Sequence, residues 1–228
     1  MTVQHTAHLV VLDMAGTTVA DDGLVEESFR AAAAHVGEDP ASMLDHVRAT
    51  MGESKIAVFR HLLGGDETRA REANAAFERA YAERVDADRI APVPGAAETI
   101  AALRESGRTV VLSTGFARVT QDAILDALGW RDLADLTLCP ADAGGRGRPY
   151  PDLVLTALLR TRAADDVRHV AVAGDTAYDM LSGVRAGAGI VAGVLTGAHD
   201  KDRLTAHGAT HVLASVVELP DLIDGLRS

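Results

Sequence analysis

The chain carries one cysteine, Cys139, in 228 residues, so no intramolecular disulfide can form and a disulfide-stapled secreted scaffold is excluded. No apolar run approaches the ~20 residues needed to cross a bilayer. The segment from Met1 to His8 lacks the basic stretch and apolar core of a secretory leader, which makes a cytoplasmic protein the expectation. Positive charge is also short: 22 Lys and Arg against 33 Asp and Glu leave a net charge of -11. Nucleic acid and anionic membrane recruit basic surfaces, so neither is expected as a partner. A small anionic substrate would need a locally positive site within this acidic protein. The scarcest charged residue is lysine: only Lys55 and Lys201 occur, and every other basic residue is arginine. A lysine kept in such a chain asks what arginine cannot do there.

What is present suits a globular protein. The composition is 47% hydrophobic and 24% charged, enough to bury one sizeable core and a smaller one. The run His8-Leu-Val-Val-Leu-Asp13 has the continuous apolar character of a strand buried on both faces of a parallel sheet. Similar runs stand at Thr109 to Ser113, Leu136 to Cys139, His169 to Ala173 and Ile190 to Leu195, with a weaker one at His211 to Ala214. Helical stretches fall between them, at Ala96 to Glu105, Arg118 to Leu128, Asp152 to Thr161 and Ala177 to Ala186. This alternation predicts an α/β fold with a doubly wound, Rossmann-like parallel sheet.

About ninety residues without a strand signal separate the first two strands. Their apolar residues recur at helical spacing: Val25, Phe29, Ala33 and Val36; Met43, Val47 and Met51; Phe59, Leu62 and Leu63; Ala73, Phe77, Tyr81 and Val85. Four helices are predicted, and so long a connection is better read as an inserted helical cap domain than as a linker. The expected division is a core of residues 1-20 and 94-228 and a cap of residues 21-93, with hinges at Asp21-Asp22-Gly23 and Pro92-Val93-Pro94-Gly95.

Ligands of such folds bind beyond the carboxyl ends of the strands. The polar residues ending the apolar runs should therefore converge: Asp13, Ser113-Thr114-Gly115 and Gly174-Asp175. Carboxylates and hydroxyls gathered at one sheet edge suit a hard cation such as Mg²⁺ together with substrate phosphate. The alternative for each single Asp is a helix cap. The nine His are scattered, so a zinc site is not expected; Cys139 and Trp130 read as packing.

Asp13-Met-Ala-Gly-Thr17-Thr18-Val, Ser113-Thr114-Gly115, Arg148-Pro149 and Gly174-Asp175-Thr-Ala-Tyr-Asp179 resemble, in order, the four motifs of the haloacid dehalogenase superfamily. The resemblance spans essentially the whole chain. It implies that Asp13 attacks phosphorus, that Mg²⁺ is held by Asp13, the Ala15 carbonyl and Asp175, and that Asp179 orients the water around the metal. It implies phosphate contacts from Thr17, from Ser113 or Thr114, from Gly115, and from Arg148 in the place usually held by lysine. Gly16 and Gly174 would let backbone approach the substrate.

Phosphatases of this superfamily usually carry a second Asp two positions after the nucleophile, as general acid and base. Here that position is Ala15. Loss of such a group ordinarily costs roughly 10²- to 10⁴-fold in rate. Asp-x-Ala-Gly-Thr, with Arg148 before Pro149-Tyr150-Pro151, resembles the phosphonatase branch, the phosphonoacetaldehyde hydrolases, which cleave a carbon-phosphorus bond. Met51-Gly52-Glu53-Ser54-Lys55 resembles the cap segment that supplies that branch with its lysine. A primary amine forms a Schiff base with an aldehyde, and a guanidinium does not. The branch carries a His three positions after this lysine; here Val58 stands there. Three function classes follow: a carbon-phosphorus hydrolase using Lys55, a phosphomonoester hydrolase working without the second Asp, and a weakly catalytic metal and phosphate binder. The substrate is expected to be a small anionic phosphonate or phosphate. The sequence leaves the oligomeric state open, a homodimer among the alternatives.

Overall fold

A computed structural model describes residues 7-20, 23-85 and 89-226. Six parallel strands, β1 (Leu9–Asp13), β2 (Thr109–Ser113), β3 (Leu136–Leu138), β4 (Val170–Gly174), β5 (Ile190–Val194) and β6 (His211–Leu213), form one sheet in the order β3-β2-β1-β4-β5-β6. β1, β4 and β5 are buried along their whole length, which is why they read as unbroken apolar runs. The first four residues of β1 pair with Val170 to Ala173 of β4, and Asp13 stands opposite Ser113 of β2. The carboxyl ends of β1, β2 and β4 therefore finish level. After β3 the chain returns to the other side of β1, so the sheet changes winding direction beside Asp13, where a crevice opens in folds of this kind.

Four helices lie between β1 and the next core element: α1 (Leu24–His35), α2 (Pro40–Ala49), α3 (Lys55–Leu62) and α4 (Glu67–Arg84). Their starts are encoded locally. Asp39 accepts from the Ala41 N–H at 3.1 Å just before Pro40, and Asp66 accepts from the Arg69 N–H at 3.1 Å. The predicted apolar stripes close on one another: Phe29 meets Phe59 and Phe77 with ring centroids 4.9 and 4.8 Å apart. Burial of each such ring contributes about 1.5–3 kcal/mol over leaving it in water.

Six more helices follow: α5 (Ala96–Glu105), α6 (Arg118–Ala127), α7 (Asp152–Thr161), α8 (Ala177–Ala186), α9 (Lys201–Ala206) and α10 (Leu219–Gly225). Alternate residues of β1 and β2 serve opposite faces. Leu12, Val110 and Leu112 pack in one cluster with Ile100, Ile124 and Ile223, whereas Leu9, Val11 and Val111 pack in another with Leu153, Val154 and Ala157. Helices thus cover both faces, as the sequence predicts. The first cluster also takes in Phe29, Phe59 and Phe77 of the insert.

The two crossings run beside each other. The Val93 N–H donates to the Thr18 carbonyl and the Ala20 N–H to the Ala91 carbonyl, both at 2.9 Å. Of the expected hinge residues, Gly23 and Pro92 to Gly95 fall in this region, and Asp21 and Asp22 lie outside the described residues. Strand ends differ from the sequence reading by a residue or so. His8 and His169 precede β1 and β4 and stack at 5.1 Å, and Gly174 closes β4.

Candidate active site

The turn after β1 is built by its own backbone. The N–H groups of Thr17, Thr18 and Val19 all donate to the Met14 carbonyl, and the Thr18 hydroxyl donates to the Asp13 carbonyl at 2.9 Å. This holds Asp13 at the strand end, buried at 5% exposure. The loop after β4 is fixed by a capping box, in which Thr176 and Asp179 satisfy each other's backbone at the start of α8. Asp13, Asp175 and Asp179 offer carboxylate oxygens all within 4.8 Å of one another.

Arg148 enters this group from the loop before α7. One terminal nitrogen lies 2.6 Å from Asp13 and Nε lies 2.7 Å from Asp179, while the other terminal nitrogen donates to the Ser113 hydroxyl at 2.8 Å and the Ser113 carbonyl at 3.1 Å. Burial opposes the guanidinium's charge, but Asp13, Asp179 and Asp175 together hold its pKa above the usual arginine value. Burial raises the Asp13 carboxyl to about 7, against the pull of Arg148 and helped by Asp179. Burial, then Asp13 and Asp179, raise Asp175 well above the ordinary range. Three buried carboxylates thus face one guanidinium, an oxygen donor set with excess negative charge that fits a hard divalent cation such as Mg²⁺. Among the described residues this is the one group of three or more His, Cys, Asp and Glu able to hold a metal, and it contains no His or Cys.

A cleft of about 270 Å³ opens over the group. From the sheet side it is lined by Asp13, Ala15, Gly16, Thr114, Gly115, Arg148 and Asp175, and from the insert by Val25, Met51, Gly52 and Lys55. Lys55, at the start of α3, is buried at 6% exposure, its Nζ 5.2 Å from the Phe116 ring centre and 5.8 Å from that of Phe29. The insert comes close because Gly52, with φ +94°, has no side chain: a Cβ there would overlap Thr176. The Arg203 guanidinium also donates to the Ala49 carbonyl at 2.9 Å.

Some expected site residues sit one layer beneath the cleft. Thr17 is fully buried and its hydroxyl donates to Asp175 at 3.3 Å. Between the alternatives Ser113 and Thr114, Ser113 accepts from Arg148 and Thr114 lines the cleft. Asp179 lies below, held by Arg148 and Thr176. Gly16 and Gly174 make room for carboxylates: a Cβ on Gly16, which lines the cleft, would fall on Asp175, and one on Gly174 on Asp179. Cys139 and Trp130 are buried as packing residues.

Sequence reasoning passed over three residues. His199, taken as one of the scattered His, is buried; its Nδ1 accepts the Ala177 N–H at 2.8 Å, and desolvation lowers its pKa to about 4. Phe116 leaves the β2 motif to join the aromatic core of the insert. Glu78, on α4, is buried beside Lys55. The Thr176-x-x-Asp179 capping pattern is a local signal, whereas the contacts of His199 and Phe116 join segments 22 residues or more apart.

The profile of the haloacid dehalogenase-like hydrolase family matches residues 7–187. The chain belongs to this family. Within it, the chain is 28% identical to a phosphonoacetaldehyde hydrolase of Bacteroides fragilis, with 96% of each protein covered. It is 29% identical to "Probable phosphatase IndB" of Dickeya dadantii, over 87% of this chain and 85% of that protein. Its fold matches that of a phosphonoacetaldehyde hydrolase-like protein from Oleispira antarctica with a TM-score of 0.83 at 23% identity, covering 97% and 93% of the two chains. A member of the haloacid dehalogenase-like hydrolase family is an enzyme, and no helix among the described residues is long and apolar enough to cross a membrane.

Proposed function

We propose that this hydrolase cleaves the carbon-phosphorus bond of a small phosphonate carrying an aldehyde or ketone, such as phosphonoacetaldehyde, with Asp13 as nucleophile and Lys55 as Schiff-base amine. The helical insert, residues 21-93, acts as a cap over the core of residues 1-20 and 94-228. The observation that carries this reading is the placement of Lys55, buried in the same cleft as Asp13, while the position for a general acid holds the methyl group of Ala15. The names of several relatives support the same chemistry.

In this reading the neutral Lys55 amine condenses with the substrate carbonyl and water leaves. Asp13 attacks phosphorus as the C–P bond breaks, and the bonding pair passes to carbon, where the iminium accepts it as an enamine. The leaving group needs no proton at position 15. Arg148, Thr114 and Gly115 hold phosphoryl oxygens through the transfer. Mg²⁺ held by Asp13, Asp175 and the Ala15 carbonyl, with Asp179 behind, would neutralise charge on those oxygens. Water then hydrolyses the aspartyl-phosphate, and protonation and hydrolysis of the enamine free Lys55.

A second reading, phosphomonoester hydrolysis, is favoured by Val58, which is buried in the apolar cluster at the place of the branch's His, and by the phosphatase relative. One experiment separates the two. Phosphonoacetaldehyde and a panel of small phosphate esters are assayed with Mg²⁺ and with EDTA, and borohydride reduction during turnover is followed by peptide mass mapping. An adduct on Lys55, with activity lost in Lys55→Arg, is expected. Full turnover by Lys55→Arg on the best substrate without an adduct overturns the Schiff-base reading in favour of ester hydrolysis.

A further inference from the structure

Behind Lys55 lies a second cavity, about 230 Å³, that shares Lys55, Gly115 and Phe116 with the cleft and is otherwise lined by Asn74, Glu78, Arg118 and neighbouring backbone. Glu78 is buried at 7% exposure. Its carboxylate accepts from the Thr120 hydroxyl at Oε2 and is also held by the Ala117 backbone, and among the described residues Oε1 has no partner of full hydrogen-bond geometry. A buried carboxylate oxygen with incomplete hydrogen bonding is destabilising and calls for a physical explanation. Lys55 lines the same cavity, and its charge favours the ionised form of Glu78.

We propose that Glu78 is the proton partner of Lys55, taking the ammonium proton before the amine attacks a carbonyl and returning it when water leaves. The inference rests on the Schiff-base reading above for its chemical purpose. The step balances without another reactant. Lys55-NH₃⁺ passes one proton to the Glu78 carboxylate; nitrogen bonds to the carbonyl carbon and, after a proton shift from nitrogen to oxygen, a carbinolamine forms. The Glu78 proton then goes to the departing hydroxyl, and nitrogen's lone pair closes the C=N⁺ bond. Water is released and Glu78 is again a carboxylate.

The surroundings suit this exchange. Burial raises the Glu78 pKa, against the pull of Thr120, the Ala117 backbone and Lys55, which brings the protonated form nearer. A neutral amine beside a neutral acid is less penalised in this aromatic site than a desolvated ion pair. The other charged groups near the pair are Glu53 at the start of the loop into α3, Arg118 on α6, and Asp13 and Arg148 across the cleft. Arg118 is engaged by Asp142 and Arg148 by Asp13 and Asp179. Glu78 exchanges protons with Lys55 and with the departing hydroxyl, a catalytic role confined to the carbonyl end of the substrate and away from phosphorus.

The two lysines of the chain make a direct test possible. In protein labelled with ¹³C at lysine Cε, the two resonances are assigned with Lys201→Arg and titrated in the full-length parent, Glu78→Gln and Glu78→Asp, and borohydride trapping is timed in each. Coupled groups titrate in two steps. The Lys55 signal is expected to show both steps in the parent, one step about a pH unit or more lower in Glu78→Gln, and two steps again in Glu78→Asp. Trapping on Lys55 should slow at least about tenfold in Glu78→Gln and recover in part in Glu78→Asp. An unchanged Lys55 titration in folded Glu78→Gln overturns the proposal, whether or not the parent forms an adduct. A shifted titration in a parent that forms no adduct keeps the proton pair and overturns the imine reading instead.

Discussion

Arg148 stands 2.6 Å from Asp13, so the carboxylate proposed to attack phosphorus is held by the cation proposed to hold the phosphoryl oxygens. Ground state and transfer share one positive charge, and its removal should be felt in both stability and rate. Arg148→Met is expected to destabilise the protein by about 3–5 kcal/mol, the cost of leaving buried carboxylates without their partner. Arg148→Lys should fold but lose most activity, because a point charge cannot meet Asp13, Asp179 and Ser113 at once. Denaturant unfolding and kcat/KM on the best substrate check this; a fully active Arg148→Lys would refute the three-way role.

Asp13→Asn keeps the shape and removes the proposed nucleophile. Turnover should disappear while circular dichroism stays that of the parent. Activity within about tenfold, equivalent to ~1.4 kcal/mol of barrier, removes Asp13 from that role.

The pH dependence of the metal-free protein follows from Asp13. Its carboxyl titrates at about 7 in the fold against an ordinary 3.8, so the folded state keeps a proton that the unfolded chain gives up. Stability in EDTA should therefore fall as pH rises from about 4 to about 7. Mg²⁺ selects the ionised carboxylates, so its stabilisation should grow over the same interval. Thermal melts at pH 5.5, 6.5 and 7.5, with and without Mg²⁺, test the pairing of these trends; a Mg²⁺ effect that shrinks with rising pH contradicts it.

Gly52 and Gly64 both hold positive φ, but only Gly52 faces another residue. Gly64→Ala should cost about 1–2 kcal/mol from backbone strain and spare activity. Gly52→Ala should pay the same strain and also drive the insert off Thr176, lowering kcat/KM well beyond any change in melting temperature. Equal kinetic effects of the two substitutions would show that the approach of Gly52 to Thr176 does not matter.

The sheet was legible because a strand buried on both faces has little choice of residue: Thr109–Ser113 coincides with its apolar run. The helices at Ala96–Glu105, Asp152–Thr161 and Ala177–Ala186 likewise coincide with their periodicity. The convergence of Asp13, Ser113 and Asp175 follows from strand ends in register, which parallel order dictates. What stayed hidden is set by contacts between distant segments. Nothing near Glu78 announces Thr120, 42 residues on, and nothing near Gly16 tells that its missing side chain makes room for Asp175. The inward turn of Thr17 is equally a property of the assembled loops.

All four phenylalanines, Phe29, Phe59, Phe77 and Phe116, join one aromatic group, and Phe116 comes from the loop after β2 while the others come from the insert. The insert's core is thus completed by a ring it does not own, within a cluster that continues to Leu12 and Val110 of the sheet. Two parts that look separable in topology share one apolar cluster. The chain should unfold in a single calorimetric transition, and excising the four helices would strip Phe116 of its neighbours and leave an aromatic side chain in water next to Thr114 and Gly115.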